Sequence, residues 1–292
     1  MKKLIATTAA IAATALALSG CGNADDAPET ENDAAPETTE TDEGTQDAPA
    51  ELVEVNVGAS PTPHAEILEF IQDNLAADAG ITITITEFTD YVLPNEALAG
   101  GEIDANYFQH IPFFDSTVEE QGFEFSRSEG IHIEPFGAYS ESLTSLDELE
   151  DGASISIPND PSNGGRALLL LEDYGVITID EGVAAPTVLD IAENPKNIEF
   201  VELEAAILPT TLSDVDAAVI NGNFALDADL IPTEDSIALE NPEDNPYVNI
   251  VAYRTADEGS EGITALIELL QSEDVREFIT TTWPNGELIP AF

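Results

Sequence analysis

Basic residues are scarce in this chain of 292 residues. Seven Lys and Arg residues stand against 59 Asp and Glu residues, which gives a formal net charge of −52 at pH 7. A nucleic-acid-binding protein must supply cations that replace the counterions around phosphate, so the composition excludes that class. The charge bears on the environment of the protein rather than on its fold. Our hypothesis is adaptation to high salt, where self-repulsion is screened, or to an extracellular setting.

Cysteine occurs only once, as Cys21, so the chain cannot form an internal disulfide. The cysteine follows a basic start, Lys2-Lys3, and an apolar stretch over residues 4–18 that is short for a transmembrane helix. The segment Leu18-Ser19-Gly20-Cys21 resembles a bacterial lipoprotein box, in which the cysteine is lipidated and becomes the new N-terminus. We therefore predict a signal peptide over residues 1–20 and lipidation of Cys21. The alternative is an ordinary signal that is cleaved elsewhere and leaves a free thiol.

Aromatic and basic residues are both missing from residues 22–52, which are dominated by Ala, Glu, Asp, Thr and Pro. Such a segment cannot bury enough apolar surface to offset the entropy lost on ordering. We predict that the lipidated residue and this stretch, residues 21–52, form a disordered acidic linker. An acidic interaction tail is the alternative.

Motifs for covalent catalysis are absent as well. The chain has no Gly-x-Ser-x-Gly and no His-Glu-x-x-His, and its single cysteine is assigned to the anchor. Gly164-Gly165 is not followed by Lys-Ser/Thr, so it is a weak nucleotide signature. The three histidines, His64, His110 and His132, match no local metal-ligand spacing. We predict that the protein is not an enzyme and needs no cofactor and no metal.

The remaining sequence has the pattern of a folded α/β protein. Hydrophobic residues make up 43% of the chain, and its length allows two lobes. From Val53 onward, segments of alternating polarity or short buried runs alternate with segments of helical periodicity, as in α/β architectures. We expect strands near 53–57, 81–85, 131–133, 154–157 and 217–220, and helices near 67–75, after 166, and over 263–279.

Polar residues stand near the carboxyl ends of three predicted strands, where ligands bind in open α/β sheets. They lie within residues 106–110, within 159–166, and at Asn221. Arg166 is the most informative, because a guanidinium at the start of an apolar helix suits a carboxylate. A structural salt bridge to one of the many acids is the alternative. The aromatic run over residues 107–114 indicates either an apolar ligand slot or a packed core edge.

Several ordered motifs resemble the methionine-binding lipoproteins of bacterial ABC importers, the MetQ/NlpA family. The similarity covers about residues 53–285, essentially the whole folded part. The motifs are Phe88–Asn95, Ile103–His110, Pro158–Asn163 with Arg166, Pro186–Asp190, Glu193–Asn197, Val201–Ala205, Val219–Asn221 and Pro246–Asn249.

The resemblance implies a two-lobed periplasmic-binding-protein-like fold with the ligand in a cleft between the lobes. Residues 53–139 together with 223–292 would form lobe 1, and residues 140–222 would form lobe 2. The chain would cross between the lobes near 138–142 and again near 221–224.

Carried over position by position, the resemblance also implies the ligand contacts. Arg166 would hold the α-carboxylate, Asn221 and Asn249 would bind the α-amino group and carboxylate, and Asn163 would help at the same end. Relatives usually have tyrosine where this chain has Phe113, so one hydroxyl contact is missing. The pocket for the thioether side chain would consist of Tyr91, Phe108, His110 and Phe113.

The functional expectation is a lipid-anchored, monomeric receptor on the extracytoplasmic face of the cell membrane. It would bind methionine and deliver it to an importer made of a permease and its ATPase. Another neutral amino acid, the D-enantiomer or a methionine-containing dipeptide would satisfy the same groups. A metal-binding lipoprotein centred on His110, or a surface adhesin, are the alternatives from other classes.

Overall fold

The computed structural model describes residues 51–292. The predicted signal peptide, Cys21 and nearly all of the predicted linker lie outside the described residues. The strands are β1 (Val53–Ala59), β2 (Ile81–Glu87), β3 (Ala105–His110), β4 (Phe125–Arg127), β5 (His132–Ile133), β6 (Gly137–Tyr139), β7 (Ser154–Pro158), β8 (Thr178–Ile179), β9 (Ile191–Glu193), β10 (Glu199–Leu203), β11 (Ala217–Ile220), β12 (Ala238–Leu239), β13 (Val248–Arg254) and β14 (Ile289–Pro290). The α-helices are α1 (Glu66–Asn74), α2 (Leu93–Gly100), α3 (Ile111–Gln121), α4 (Pro161–Asp173), α5 (Gly222–Asp227), α6 (Pro232–Asp235), α7 (Glu261–Leu270) and α8 (Glu273–Thr282).

The first sheet has the strand order β14-β5-β13-β3-β1-β2, and β4 pairs with β13. β1 runs parallel to β2 and β3, whereas β13 is antiparallel to β3, β4 and β5. The alternation that predicted β1 and β2 places Val55, Val57, Ile81 and Ile83 in a core shared with α1, α7 and α8. The predictions of these two strands and of the helix between them are confirmed.

The prediction of one helix over residues 263–279 is wrong, because the structure has two helices, α7 and α8, in this segment. The side chain of Ser272 accepts a hydrogen bond from the backbone N–H of Val275 at 3.3 Å and so caps the start of α8. A capping serine begins a new helix with an apolar face of its own, which is why the apolar periodicity continues across the break.

The second sheet has the order β10-β7-β11-β6-β12, with β7 parallel to both β10 and β11. Helix α4 packs on it, and Leu168 and Leu171 belong to its core. β8 and β9 form a separate hairpin. No helix within residues 51–292 combines the length and apolar character that crossing a bilayer requires.

Strand pairing shows where the chain passes between the two sheets. β6 (residues 137–139) and β12 (residues 238–239) pair in the second sheet, although both lie outside the range 140–222 that we expected for lobe 2. By pairing, the segments that connect the two sheets are residues 134–136 and 240–247. The exact lobe boundaries stay a prediction.

Candidate functional site

A cavity lies where residues of the first sheet meet α4 and the residues that follow β11. Its empty volume, which includes some open solvent, is about 330 Å³. The structure brings all eight predicted site residues to its wall: Tyr91, Phe108, His110, Phe113, Asn163, Arg166, Asn221 and Asn249. Four further residues, which the sequence had not singled out, complete the lining: Gln109, Glu134, Gly222 and Asn223.

Helix α4 carries two of these side chains on one face. Its N-cap, Asp160, accepts a hydrogen bond from the backbone N–H of Asn163 at 2.8 Å. Asn163 and Arg166 are three residues apart and therefore point to the same side of the helix. A Cβ on Gly164 would lie 2.8 Å from the carbonyl oxygen of Pro158. This glycine therefore allows the helix to begin close to β7, which accounts for it without a phosphate ligand.

Arg166 is the only buried Lys or Arg among residues 51–292, with 4% of its surface exposed. Its Nε donates to Oε1 of Glu240 at 2.9 Å, and its Nη2 donates to Oε2 of the same carboxylate and to the carbonyl oxygen of Glu134 at 3.1 Å. The guanidinium lies between the rings of Phe136 and Tyr247, at 4.6 and 4.1 Å from their centroids. Glu240 thus occupies the two-pronged Nε–Nη2 edge, and a ligand carboxylate can reach only the Nη1 side.

A chain of hydrogen bonds fixes the orientation of Asn221. The backbone N–H of Phe113 donates to Nδ1 of His110 at 3.1 Å, so Nε2 is the protonated nitrogen of a neutral ring. Burial, and then the charge of Arg166, lower the pKa of His110 to about 3, so the ring is neutral near pH 7. His110 Nε2 and Asn221 Nδ2 both donate to Oδ1 of Asn163, at 2.9 and 2.8 Å. Oδ1 of Asn221 is then a buried acceptor without a partner among the described residues.

Two other asparagines present donors. The hydroxyl of Tyr91 donates to Oδ1 of Asn223 at 2.5 Å, and burial followed by nearby carboxylates keeps the pKa of this hydroxyl well above its usual value. Nδ2 of Asn223 is buried and, within residues 51–292, has no partner. Nε2 of His64 lies 3.1 Å from Oδ1 of Asn249, which leaves the amide nitrogen of Asn249 as the group that a ligand can use.

Aromatic rings form the apolar part of the wall. The rings of Tyr91, Phe108 and Phe113 lie 5.7 to 6.1 Å apart between centroids, and Phe224 packs against Tyr91 at 4.9 Å. Such rings suit an uncharged side chain, including a polarizable thioether. Within the aromatic run over residues 107–114, Phe108 and Phe113 line the cavity, whereas Tyr107 and Phe114 are buried in hydrophobic cores.

Glu134 is one of the four cavity residues that the sequence analysis did not single out. Its Oε1 accepts from Nε2 of His132 at 2.9 Å and lies 3.3 Å from Nε2 of His64, while its Oε2 accepts from the backbone N–H of Asn223 at 2.9 Å. The side-chain atoms of His64, His132 and Glu134 that could coordinate a metal ion lie within 4.8 Å of one another. This spacing would allow a metal site. The 2.9 Å contact between His132 and Glu134 is a hydrogen bond, and Nε2 of His64 lies closer to Oδ1 of Asn249, at 3.1 Å. Nδ1 of His132 contacts the hydroxyl of Tyr107 at 2.5 Å.

Some of the missed residues carried a sequence signal and others carried none. Asn223 stands two residues beyond Asn221 in the same turn after β11, and Gln109 lies within the polar segment 106–110. Asn106, in contrast, points away from the cavity and bonds Asn95 at 2.8 Å. Glu134 is one of 59 acidic residues, and nothing in the sequence distinguishes it from the others.

Together, the cavity offers amide and guanidinium donors, amide and carboxylate acceptors, and an aromatic slot. This arrangement, at the junction of two α/β sheets, defines a substrate-binding receptor with a cleft between two lobes.

Comparison with known proteins gives the family. Residues 55–292 match the family model of the NlpA lipoproteins, and the chain belongs to that family. The D-methionine-binding lipoprotein MetQ of Escherichia coli is 39% identical over 235 residues, which cover 80% of this chain and 86% of that protein.

Solved structures agree with this placement. A nutrient-binding protein from Burkholderia cenocepacia, bound to methionine, has 44% identity and a TM-score of 0.79, with 82% of this chain and 100% of that chain covered. An ABC-transporter periplasmic substrate-binding protein from Coxiella burnetii has 38% identity and a TM-score of 0.77, with 81% of this chain and 100% of that chain covered.

Proposed function

We propose that this chain binds methionine in the cleft and delivers it to an ABC importer. The main support for this proposal is that the cavity wall contains buried polar atoms without a hydrogen-bond partner within residues 51–292. Among residues 51–292, Oδ1 of Asn221 is an acceptor and Nδ2 of Asn223 a donor without a partner, and both lie beside Arg166 and a group of aromatic rings. Buried polar atoms without partners are costly, so these atoms point to a ligand that carries both an ammonium and a carboxylate. The names of the relatives and the methionine-bound structural neighbour support the same ligand.

The proposal includes the cellular setting. We propose that Cys21 carries the lipid and that residues 21–52 tether the receptor to the extracytoplasmic face of the membrane. A permease and its ATPase would receive the ligand, and the receptor would act as a monomer without catalysing a reaction. The lipoprotein names of the relatives and the ABC-transporter neighbour support this setting.

Calorimetric titration tests the proposal directly. The chain from residue 22 onward is freed of carried-over ligand by unfolding and refolding, and L-methionine is titrated into it at the salt concentration where it is folded. We expect saturable one-to-one binding, and no binding of lysine or glutamate, whose charged side chains do not suit the aromatic slot. Absence of heat with methionine in a folded sample would refute the ligand assignment. D-methionine and methionine dipeptides in the same assay distinguish the remaining ligand alternatives.

Arg166→Ala tests the carboxylate contact, and Arg276→Ala is the matched control. Arg276 forms an exposed pair with Glu273 at 3.2 Å and does not line the cavity. Removing a buried charged partner costs about 2 kcal/mol or more, so we expect Arg166→Ala to weaken methionine binding about 30-fold or more. If Arg166→Ala lowers the melting temperature but binds methionine as tightly as Arg276→Ala does, the arginine has only a structural role.

A further inference from the structure

Glu134 is a buried carboxylate that has no Lys or Arg partner within residues 51–292. It is 6% exposed, and the ion pairs formed by the described residues bring only His64 and His132 to it. Burial alone would raise the pKa of Glu134, but His64 in its protonated form and the hydrogen bonds from His132 and from the N–H of Asn223 outweigh burial and hold the pKa below its usual value. The group is therefore ionised near neutral pH.

The nearest cation is committed elsewhere. The guanidinium of Arg166 bonds the carboxylate of Glu240 and contacts Glu134 only through its backbone carbonyl oxygen. His64 is neutral near pH 7, because burial lowers its pKa to about 4. A buried charge without a charged partner is costly, and a bound cationic group would remove that cost.

The side chain of Glu134 lies against the floor of the cavity. A Cβ added to Gly222 would be 2.7 Å from Cβ of Glu134 and 3.2 Å from its Oε2, and both residues line the cavity. Glycine at position 222 therefore allows the carboxylate to approach the backbone closely. Asn221, the next residue, contributes the unpartnered acceptor Oδ1. Two acceptors, one of them charged, thus come from adjacent parts of the same wall.

We propose that Glu134 contacts the ligand and accepts a hydrogen bond from the α-ammonium group of the bound amino acid, with Oδ1 of Asn221 as a second acceptor. The inference rests on the proposed function and adds a determinant of specificity to it. An ammonium donates three hydrogen bonds, and an ionised carboxylate is its strongest acceptor. Oε1 accepts from His132 and Oε2 accepts from the backbone N–H of Asn223, and each oxygen keeps a further lone pair for the ligand.

The proposal predicts discrimination by a single ligand group. A ligand that keeps the thioether and the carboxylate but lacks the ammonium would leave Glu134 uncompensated and would place two carboxylates in one cavity. Sites that hydrogen-bond a polar group reject the analogue lacking that group strongly, because the partners are left unpaired.

The test pairs Glu134→Gln with two ligands, L-methionine and 4-(methylthio)butanoate, which lacks only the amino group. Both are measured by calorimetry, with displacement titrations for the weaker one. We expect Glu134→Gln to weaken methionine binding about 30-fold or more while binding of the deaminated ligand stays equal or becomes tighter. Equal weakening of both ligands would mean that Glu134 only supports the fold of the site and would overturn the inference.

Glu240→Gln is the matched control, because Glu240 bonds Arg166 and not the floor of the cavity. It should change the affinities of the two ligands by the same factor, since both ligands keep the carboxylate. If Glu240→Gln changed the affinity for methionine and the affinity for the deaminated ligand as unequally as Glu134→Gln does, the assignment of the ammonium to Glu134 would be contradicted.

A structure of the unaltered chain with bound methionine tests the proposal even if Glu134→Gln does not fold. We expect the ligand nitrogen to lie at hydrogen-bond distance, about 3 Å, from an oxygen of Glu134. A nitrogen that contacts amide oxygens alone would overturn the inference and leave the proposed function intact. Failure of the unaltered chain to bind methionine at all would refute the proposed function itself.

Discussion

Acidification should destabilise the ligand-free protein because two of its histidines are buried in neutral form. Burial, opposed in part by Glu134, lowers the pKa of His64 to about 4. Burial together with Arg166 lowers the pKa of His110 to about 3. Both values lie below the 6.5 of an unfolded chain, so the unfolded state takes up protons first as the pH falls. Stability is therefore fully present above about pH 6.5 and is lost progressively toward the folded pKa values.

The magnitude follows from linkage. Each histidine removes about 1.36 kcal/mol per pH unit below about 6.5, so the two together remove about 4 kcal/mol by about pH 5. That loss is a large part of the free energy of unfolding of a folded domain, which is usually about 5–15 kcal/mol. Asp160 acts in the opposite sense, because burial raises its pKa, and the many surface carboxylates also repel less as they become protonated.

Urea unfolding at about molar salt, from about pH 7 to about pH 5, measures this effect while surface charge is screened. We expect the free energy of unfolding to fall with a slope of about two protons, and His64→Gln to reduce the slope by about one proton. The chain has only three histidines, so the source of the slope can be assigned. A free energy of unfolding that stays flat over this range, or a slope that His64→Gln leaves unchanged, would refute the reasoning.

Three further predictions concern the ligand slot, metals and salt. Phe113→Tyr should tighten methionine binding about fivefold, because one more hydrogen bond contributes about 1 kcal/mol; an unchanged Kd in calorimetry would show that the added hydroxyl finds no partner. EDTA should leave the melting temperature unchanged, because His132 and Glu134 are joined by a hydrogen bond of 2.9 Å; a lowered melting temperature would instead establish a structural metal. Raising the salt from about 0.1 M to about 1 M shortens the screening length from about 10 Å to about 3 Å, so the melting temperature should rise; an equal melting temperature at both would contradict the salt-adaptation hypothesis.

Much of the fold could be predicted because local patterns and packing agree. The alternation Val53-Val55-Val57 and the run over residues 81–85 each match one buried face of a strand, and the structure places them side by side. The break at Ser272 was missed because the apolar spacing continues through it, and only the cap distinguishes two helices from one. The pairing of β6 and β12 could not be predicted, because they are strands of three and two residues, too short to show a period.

Some residues of the site could likewise be predicted from the sequence, and others could not. Polar residues after β7 and β11 could be found from their position at strand ends, and the aromatic run over residues 107–114 from its composition. The family resemblance added Tyr91 and Asn249. The partners of Arg166 could not be found, because Glu240 is 74 residues away in sequence and is one acid among many. The same reason hid Glu134, and with it the fact that the two-pronged edge of the arginine is already occupied.

The surroundings of Arg166 have a mechanical consequence. Its four partners are the carbonyl oxygen of Glu134, the ring of Phe136, the carboxylate of Glu240 and the ring of Tyr247. All four belong to the two segments that join the sheets, residues 134–136 and 240–247. A rotation of one sheet relative to the other would bend the chain at these segments, and the guanidinium contacts both of them. The proposed contact of Arg166 with the ligand carboxylate would therefore lie beside both connecting segments, where such a rotation displaces side chains least.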